Sequence, residues 1–222
     1  MNTRMIKDIK RPSGEIISSF KTIGTPTIDE STGRRGAMDS SIKPIWRGMK
    51  CCGPALTVKC HVGDNLTLLK AIDLAQPGDI LVVDFGNNSE VAPWGEIAAT
   101  ASLEKGIAGL VINSSVRDID ELKKLSFPVF ALGSCMKGTT KSYFGFINHP
   151  ITCGGVTVIP GDIVVGDNDG VVVVKQEEAS EILKKSRERD KKESKILKQL
   201  KQGESLIKLL GYDKKLKEMG IE

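Results

Sequence analysis

Apolar and polar residues follow two patterns along the chain, and each pattern predicts a different kind of secondary structure. Up to about residue 133, short unbroken apolar runs alternate with segments in which apolar residues recur every three or four positions. The first pattern is typical of buried strands and the second of amphipathic helices. Strands are therefore expected at 53–60, 79–86, 107–113 and 127–133. Helices are expected from Asp64 or Asn65 to Pro77-Gly78, and over 95–106 and 118–126.

The texture changes after Gly133. Short β runs cut by Gly, Pro and Asp-Gly fill residues 145–176 and leave no room for a helix, which indicates a compact antiparallel or mixed β segment. The phrase PGDILVVDFG recurs there as PGDIVVGDNDG, and both copies suit a type II turn that leads into a strand. Residues 177–218 read as one or two charged helices with a break at Gly203.

This order of elements predicts an α/β fold in a single domain. Regular alternation of strands and helices favours parallel strands covered by helices, here followed by a β-rich part. The domain is expected to span 1–176, with a charged helical extension over 177–222. Residues 1–24 carry one helical pattern, and 24–38 are rich in turn formers and cap candidates.

Composition narrows the classes of function. The net charge of +4 is modest, and the Lys-rich tail has acids interspersed, which is typical of a solvated helix rather than a nucleic-acid-binding surface. No apolar run is long enough for a membrane span or a signal peptide. Neither GxGxxG nor a P-loop motif is present, so a nucleotide site is not expected.

Cysteines and histidines indicate neither disulfides nor zinc. The five cysteines form no CxxC pair, and His61 and His149 lie far apart without ligand spacing. A reduced cytoplasmic protein is the simplest interpretation. A redox centre at Cys51-Cys52 is an open alternative, although buried small hydrophobic residues are the commoner role for such cysteines.

Two acids and an arginine fall at the predicted ends of neighbouring strands. Glu96 lies in the first turn of the helix after strand 79–84, and Arg117-Asp118 follow strand 107–112. Ligands of open α/β sheets gather at the carboxyl ends of strands, so these side chains are expected at one rim. The twenty residues between Glu96 and Arg117 hold one helix and one strand, as a single crossover needs.

Each group has a chemical use at such a rim. Arg117 offers a fixed fork of donors for a carboxylate or enolate oxygen, and Asp118, with Glu96 behind it, offers oxygen ligands for Mg²⁺ or Mn²⁺. The unpaired amides of a first helical turn attract a carboxylate, and here they belong to Gly95, Glu96, Ile97 and Ala98. Together these residues predict a metal-assisted pocket for a small oxo acid.

An ordinary structural explanation stands beside this one. Glu96 would then be only a favourable charge at a helix N-terminus, contributing about 0.3–1 kcal/mol. Asp118 would be the cap of helix 119–125, with Arg117 a surface residue. Spacing alone leaves both explanations open.

Many ordered segments resemble the RraA-like family, which contains the class II 4-hydroxy-4-methyl-2-oxoglutarate aldolases and the regulator of ribonuclease activity A. The resemblance covers residues 25–175 and rests on TPTIDE, GPALTV, GDNL, PGDILVVD, WGEIAA, GIAGLVINSSVRD, FPVFALG, PITCGGVTVIPGD and GDNDGVVVV. Catalytic members carry an acid, twenty residues, then Arg-Asp, which Glu96, Arg117 and Asp118 match. Glu121 matches a further acid of many members. Asn113-Ser114 stand where Asp-Gly or Asn-Gly is expected, a departure expected to alter the loop before Arg117.

The resemblance implies a fold, an assembly and a site. The fold would be a swivelling β/β/α sandwich, assembled as a homotrimer or as a homohexamer of two trimers. Asp118 would hold Mg²⁺ or Mn²⁺ directly, and Glu96 would act through water. Pyruvate would place its carboxylate on the amides from Gly95 to Ala98 and its keto oxygen near Arg117.

These implications predict a divalent-metal-dependent carbon–carbon lyase that acts on 2-keto diacids through a pyruvate enolate. Oxaloacetate decarboxylation and cleavage of 4-hydroxy-4-methyl-2-oxoglutarate share that enolate, so one site is expected to run both. The alternative is a non-enzymatic regulator that binds a ribonuclease or helicase, for which Glu96 and Asp118 have no evident use. A methyltransferase role in menaquinone synthesis lacks any nucleotide fingerprint.

The charged tail is expected to pack across a neighbouring subunit. Its predicted helix has apolar residues near both ends and the polar stretch SRERDKKES between them, so it buries little by itself. Catalytic relatives bring an acid from the adjacent subunit to the metal through water, and Glu193 is the candidate here. Alternatively, Glu193 only pairs with Arg189, one helical turn earlier.

Overall fold

The computed structural model describes residues 3–221, and its elements follow the predicted order. The helices are α1 (Gly14–Phe20), α2 (Thr25–Ser31), α3 (Leu66–Leu74), α4 (Glu96–Glu104), α5 (Ile119–Leu125), α6 (Ala179–Leu200), α7 (Leu206–Leu210) and α8 (Asp213–Glu218). The strands are β1 (Lys43–Pro44), β2 (Cys51–Lys59), β3 (Ile80–Asn88), β4 (Gly109–Val116), β5 (Val129–Ala131), β6 (Gly133–Ser134), β7 (Phe146–Ile147), β8 (Ile151–Cys153), β9 (Val156–Val158), β10 (Ile163–Gly166) and β11 (Val171–Val174).

One mixed sheet organises the molecule. Its strand order is β1-β5-β4-β3-β2-β10-β11, with β6 beside β4 and β7 beside β2, and β8 and β9 form a separate hairpin. Strands β2, β3, β4 and β5 run parallel, whereas β1, β10 and β11 join antiparallel. The predicted α/β class is confirmed, with parallel strands from the first half of the chain and antiparallel ones from the β-rich part.

Two hydrophobic clusters hold helices against this sheet. The larger joins the parallel strands to α3, α4 and α5, and the smaller joins β10 and β11 to α1, α2 and α6. Cys51 belongs to the first cluster and Cys52 to the second, because neighbouring strand residues point to opposite faces. Burial raises the pKa of the Cys52 thiol to about 12, and raises that of Cys51 further. Both cysteines therefore act as small core residues rather than as a redox pair.

The repeated Pro-Gly-Asp phrase builds the same turn twice. Gly78 and Gly161 have φ angles of 91° and 89°, which glycine adopts without strain. The amides of Asp79 and Asp162 each donate to the carbonyl three residues earlier, at 3.1 and 3.0 Å. The shared turn expected from the sequence is confirmed.

Helix α2 was not expected, since its segment reads as turn formers. Its Ile28 is fully buried in the smaller cluster. The Asp167 carboxylate accepts hydrogen bonds from the amide and hydroxyl of Thr25 at 2.9 and 2.6 Å, which holds the first turn in place. Contacts from distant parts of the chain thus stabilise this helix, and a local sequence pattern does not carry them.

The tail differs from its expected arrangement at its start. The first turns of α6 pack on the same chain, where Ile182 and Ser186 are buried against α1 and α2. Beyond them Leu197 is 58 % exposed, and a turn at residues 201–203 separates α6 from α7, as the expected break at Gly203 implied. Within residues 3–221, no helix combines the length and the apolarity that crossing a membrane requires.

Candidate functional site

The ends of β3 and β4 bring the predicted site residues to one rim of the sheet. These strands are parallel neighbours, with Val82 paired to Val111. Arg117 and Asp118 come directly after the last residue of β4. The amide of Arg117 donates to the carbonyl of Trp94 at 3.0 Å, which ties the end of β4 to the loop that leads into α4.

Asp118 joins the start of two helices. It immediately precedes α5 with φ 57°, and its side chain makes no cap hydrogen bond to that helix. Instead its Oδ2 accepts a hydrogen bond from the amide of Glu96 at 3.0 Å, in the first turn of α4. The carboxylate therefore caps α4, a contact that the sequence does not reveal.

Gly95 makes this contact sterically feasible. Its backbone is extended, so its φ angle does not require glycine. A Cβ atom at this position would lie 2.2 Å from Oδ2 of Asp118 and 3.0 Å from Cγ of Arg117. The glycine is needed because the Arg117-Asp118 side chains approach the backbone closely.

A cleft of about 210 Å³ opens between the start of α4, the Arg117-Asp118 pair and a segment near residue 140. Nε of Arg117 lies 3.7 Å from Oδ2 of Asp118, and about half of the arginine side chain is exposed. The cleft is lined by Asn65, Leu69, Ala92, Pro93, Trp94, Gly95, Ile97, Ala98, Arg117, Asp118, Gly138, Thr139 and Lys141.

Several polar groups of this cleft have no hydrogen-bond partner within residues 3–221. The amides of Ile97 and Ala98 donate to no backbone or side-chain group, as expected for a first helical turn. Asn65 uses its Nδ2 on the carbonyl of Pro93 at 2.9 Å, which leaves its buried Oδ1 unpaired. Nε1 of the buried Trp94 is also unpaired. Buried polar atoms without partners are uncommon in folded proteins, so both side chains are notable features of the cleft wall.

Among the predicted residues, Gly95, Ile97, Ala98, Arg117 and Asp118 line the cleft together. Glu96 contributes its amide to Asp118, but its exposed side chain is not part of the lining.

The two remaining acids lie outside the cleft in this chain. Glu193 pairs with Nε of Arg189 at 2.8 Å on α6, and Glu121 pairs with Lys124 at 2.7 Å on α5.

Eight lining residues were not predicted from the sequence, and four of these have polar side chains. Asn65 and Trp94 precede α3 and α4, and Thr139 and Lys141 lie in an irregular segment between β6 and β7. Asn65 lies in GDNL and Trp94 in WGEIAA. Both segments carry the family resemblance, so both residues could have been predicted from it. Thr139 and Lys141 have only the unusual length of their loop as a signal.

Asn113-Ser114 lie inside β4 and not in a loop, so the expected alteration of a loop before Arg117 does not occur. Both side chains contact β3, and the Ser114 hydroxyl also lies 3.0 Å from the carbonyl of Val91, just after that strand. Asn113 Nδ2 donates to Oδ1 of Asp84 at 3.1 Å, and the Ser114 hydroxyl lies 2.7 Å from the carbonyl of Asn88. These contacts support the segment that leads to Gly95.

The chemistry of Asp118 suits a hard divalent cation in one respect. Its Oδ2 is used by Glu96, whereas its Oδ1 accepts no hydrogen bond within residues 3–221. No group of three or more His, Cys, Asp or Glu side chains in that part of the chain converges as a metal cage. Mg²⁺ commonly takes one or two protein carboxylates and keeps several waters, so Asp118 fits such an ion as its one direct ligand.

The molecule is an α/β protein with a small cleft at the carboxyl ends of its central parallel strands. The sequence model of the RraA-like family, described as Aldolase/RraA, matches residues 21–173. The chain belongs to the RraA-like family, which confirms the resemblance.

Relatives in this family carry different descriptions. A protein of Halalkalibacterium halodurans named "Putative 4-hydroxy-4-methyl-2-oxoglutarate aldolase" is 38 % identical over 175 residues, which cover 79 % of this chain and 83 % of that protein. Streptomyces coelicolor RraAS2, described as an unusual member of the RNase ES inhibitor RraA family, is 28 % identical with a TM-score of 0.75, covering 84 % of this chain and 98 % of its own. An uncharacterized protein of Pseudomonas syringae pv. tomato has a TM-score of 0.81 at 25 % identity, covering 91 % of this chain and 95 % of its own.

Proposed function

We propose that this protein is a divalent-metal-dependent carbon–carbon lyase that cleaves 2-keto diacids through a pyruvate enolate. Oxaloacetate decarboxylation and cleavage of 4-hydroxy-4-methyl-2-oxoglutarate are the two reactions. The observation that carries the proposal is the cleft that joins Arg117 and a free carboxylate oxygen of Asp118 to the unpaired amides of Ile97 and Ala98. The aldolase name of the Halalkalibacterium relative supports the same reaction class.

The polar groups of the cleft match the substrate's two ends. The amides of Ile97 and Ala98 bind the carboxylate next to the keto group, since a helix N-terminus favours an anion. Asn65 lies in the wall of the cleft beside these amides. Lys141, the cation on the opposite wall, binds the second carboxylate. Two cationic side chains in one small cleft favour a dianion over a neutral ligand.

Bond cleavage leaves a charge that Arg117 is placed to stabilise. In oxaloacetate the bond between C3 and C4 breaks, CO₂ departs, and the electron pair moves onto C3, C2 and the keto oxygen. In the aldol substrate the same bond breaks as the C4 hydroxyl loses its proton and becomes a ketone. Both routes leave the same enolate, and a guanidinium that donates to its oxygen lowers the barrier. Protonation of C3 then gives pyruvate.

Asp118 would hold a divalent cation, Mg²⁺ or Mn²⁺, directly, and Glu96 would act on it through water. When bound, it supplies Lewis-acid polarisation of the keto oxygen. A further acid through water comes from Glu193 of an adjacent copy in a homotrimer or homohexamer. Two exposed apolar side chains support the assembly. Ile97 at the cleft is 84 % exposed, and Leu197 on α6 is 58 % exposed. The five unpaired cysteines suit the reducing cytoplasm.

A non-enzymatic regulator remains the second candidate, because the Streptomyces relative is described as a member of an RNase inhibitor family. That role would depend on a protein-binding surface and would not need Arg117 or Asp118. Nucleic acid and membranes are not proposed as partners.

The test is a pyruvate-release assay on chelator-stripped protein with oxaloacetate and 4-hydroxy-4-methyl-2-oxoglutarate, with and without added Mg²⁺ or Mn²⁺. The proposal expects release only with metal, for at least one substrate. Inhibition of a ribonuclease by a variant without Arg117, together with no pyruvate release by the wild type, would favour the regulator.

A further inference from the structure

One wall of the cleft is a segment without regular structure. Residues 135–145 connect β6 to β7 and are called the strap here. Gly138, Thr139 and Lys141 of the strap line the cleft, and a Cβ at Gly138 would lie 3.4 Å from Nη1 of Arg117. Connecting segments often carry binding residues, and contacts with the rest of the fold must hold this one in place.

A buried carboxylate holds the strap. Asp64 is fully buried, and its Oδ2 accepts hydrogen bonds from the Thr140 hydroxyl at 2.8 Å, from the amide of Tyr143 at 3.2 Å and from the amide of Ser142. Three donors of the strap therefore converge on one oxygen atom from more than seventy residues along the chain. The backbone adds two bonds between the same segments, from Thr140 to Gly63 and from Asn65 to Thr140.

The other oxygen of the Asp64 carboxylate contacts the start of α3. Oδ1 accepts the amide of Leu66, the first residue of α3, at 2.9 Å. Asn65, which lines the cleft, lies between these two residues in the chain. A single side chain thus sets both the start of α3 with Asn65 and the position of the opposite wall.

The hydrogen bonds to this carboxylate favour its ionised form. Burial by itself raises its pKa, but the hydrogen bonds from Ser142, Leu66, Thr140 and Tyr143 outweigh that effect and lower the pKa to about 2. The ion pair between Lys137 of the strap and Glu90, at 2.7 Å, is a weaker anchor because both side chains are exposed to solvent.

We propose that Asp64 is a positioning residue for substrate recognition: it anchors the strap so that Thr139 and Lys141 stay against the cleft where the second carboxylate of the substrate binds. This inference rests on the proposed function for the identity of the ligand. Asp64 touches no substrate atom and acts through the strap.

The substitution that tests it is Asp64→Asn. A carboxamide has one acceptor oxygen, so it cannot accept both the amide of Leu66 and the three strap donors. The KM for oxaloacetate is expected to rise about tenfold, as for loss of a hydrogen bond to a charged group. The inhibition constant of oxalate, which has no distal group, should change by less than about threefold.

Lys141→Met should reproduce this pattern. The double variant Asp64→Asn/Lys141→Met should have a KM no more than about twofold above that of Lys141→Met alone, because coupled residues are not additive. Asp162→Asn is the matched control. Asp162 is a buried acid that accepts the amides of Ile159 and Gln176, outside the cleft lining, so this variant should lose stability with an unchanged KM.

Equal rises of the oxaloacetate KM and the oxalate inhibition constant, or full additivity in the double variant, would overturn the positioning role. If the wild type cleaves no 2-keto diacid, the proposed function is wrong. Amide hydrogen exchange then tests separately whether Asp64 holds the strap in place. The amides of Ser142 and Tyr143 should then exchange faster in Asp64→Asn than in Asp162→Asn. Unchanged exchange would refute the anchor as well.

Discussion

Adding one methyl group at Gly95 should disable the site and leave the fold standing. In Gly95→Ala the new Cβ would meet Oδ2 of Asp118 at 2.2 Å, far inside van der Waals contact. The backbone at this position is extended, so alanine adopts it without strain. The Asp118 side chain must therefore rotate away, and its hydrogen bond from the amide of Glu96 is lost.

The size of the effect follows from that lost contact. A hydrogen bond to a charged group contributes about 1.5–3 kcal/mol, and each 1.4 kcal/mol is a factor of ten. If the geometry of Asp118 is used in the transition state, kcat/KM for oxaloacetate should fall by about ten- to a hundredfold. The measurement is pyruvate release at saturating Mn²⁺, with the midpoint of thermal unfolding recorded for the same preparation.

Gly14→Ala is the matched control, since a Cβ at Gly14 meets no atom within 4 Å. It should change neither activity nor the oxalate inhibition constant. Wild-type kcat/KM in Gly95→Ala would refute the reasoning, because it would show that the position of Asp118 beside the α4 N-terminus does not matter to the reaction.

Other variants test the remaining parts of the site. Asp118→Ala should abolish pyruvate release with an unchanged circular dichroism spectrum, and Glu96→Ala should reduce metal-dependent activity less than Asp118→Ala does. Full activity after chelator treatment would show that the reaction does not need a metal. Arg117→Lys should lose most of kcat, because an ammonium cannot reproduce the fork of a guanidinium, and a wild-type kcat would exclude that role. Asp64, with its lowered pKa, should stabilise the fold above pH ~4, the ordinary range for aspartate, and lose that contribution as pH falls toward 2. Urea unfolding of Asp64→Asn should therefore show a shallower loss of stability over this range than the wild type. Truncation after residue 190, which spares the buried part of α6, should lower both pyruvate release and the oligomer size measured by sedimentation. A Glu193→Ala variant that remains a fully active trimer would exclude a role for Glu193 but not the assembly.

The parallel strands and the proximity of the main site residues could be predicted from the sequence because they depend on chain order. Arg117 and Asp118 directly follow β4, and Gly95 directly precedes α4, the helix after β3. Parallel neighbours bring such ends to one rim, so their proximity follows from the βαβ pattern. The orientation of Asp118 did not follow, because a residue before a helix is ordinarily assigned to that helix's own cap.

The strap, by contrast, could not be predicted. Its contacts with Asp64 join residues 76 to 79 positions apart, and no periodicity or turn signal marks such a pairing. Helix α2 was missed for the same physical reason, since Asp167 holds its first turn from 142 residues away. Sequence patterns reflect interactions between residues close in the chain. The strap and α2 could not be predicted from them because tertiary contacts stabilise both.

The central claim is that this site generates the pyruvate enolate, and proton exchange on pyruvate itself tests it most directly. Pyruvate in D₂O with the protein and Mg²⁺ or Mn²⁺ should lose its methyl proton signal by NMR as enolisation exchanges hydrogen for deuterium at C3. The account predicts exchange that requires metal, is blocked by oxalate and is lost in Arg117→Lys. Exchange no faster than in buffer with metal alone, by protein that is folded and assembled, would contradict it.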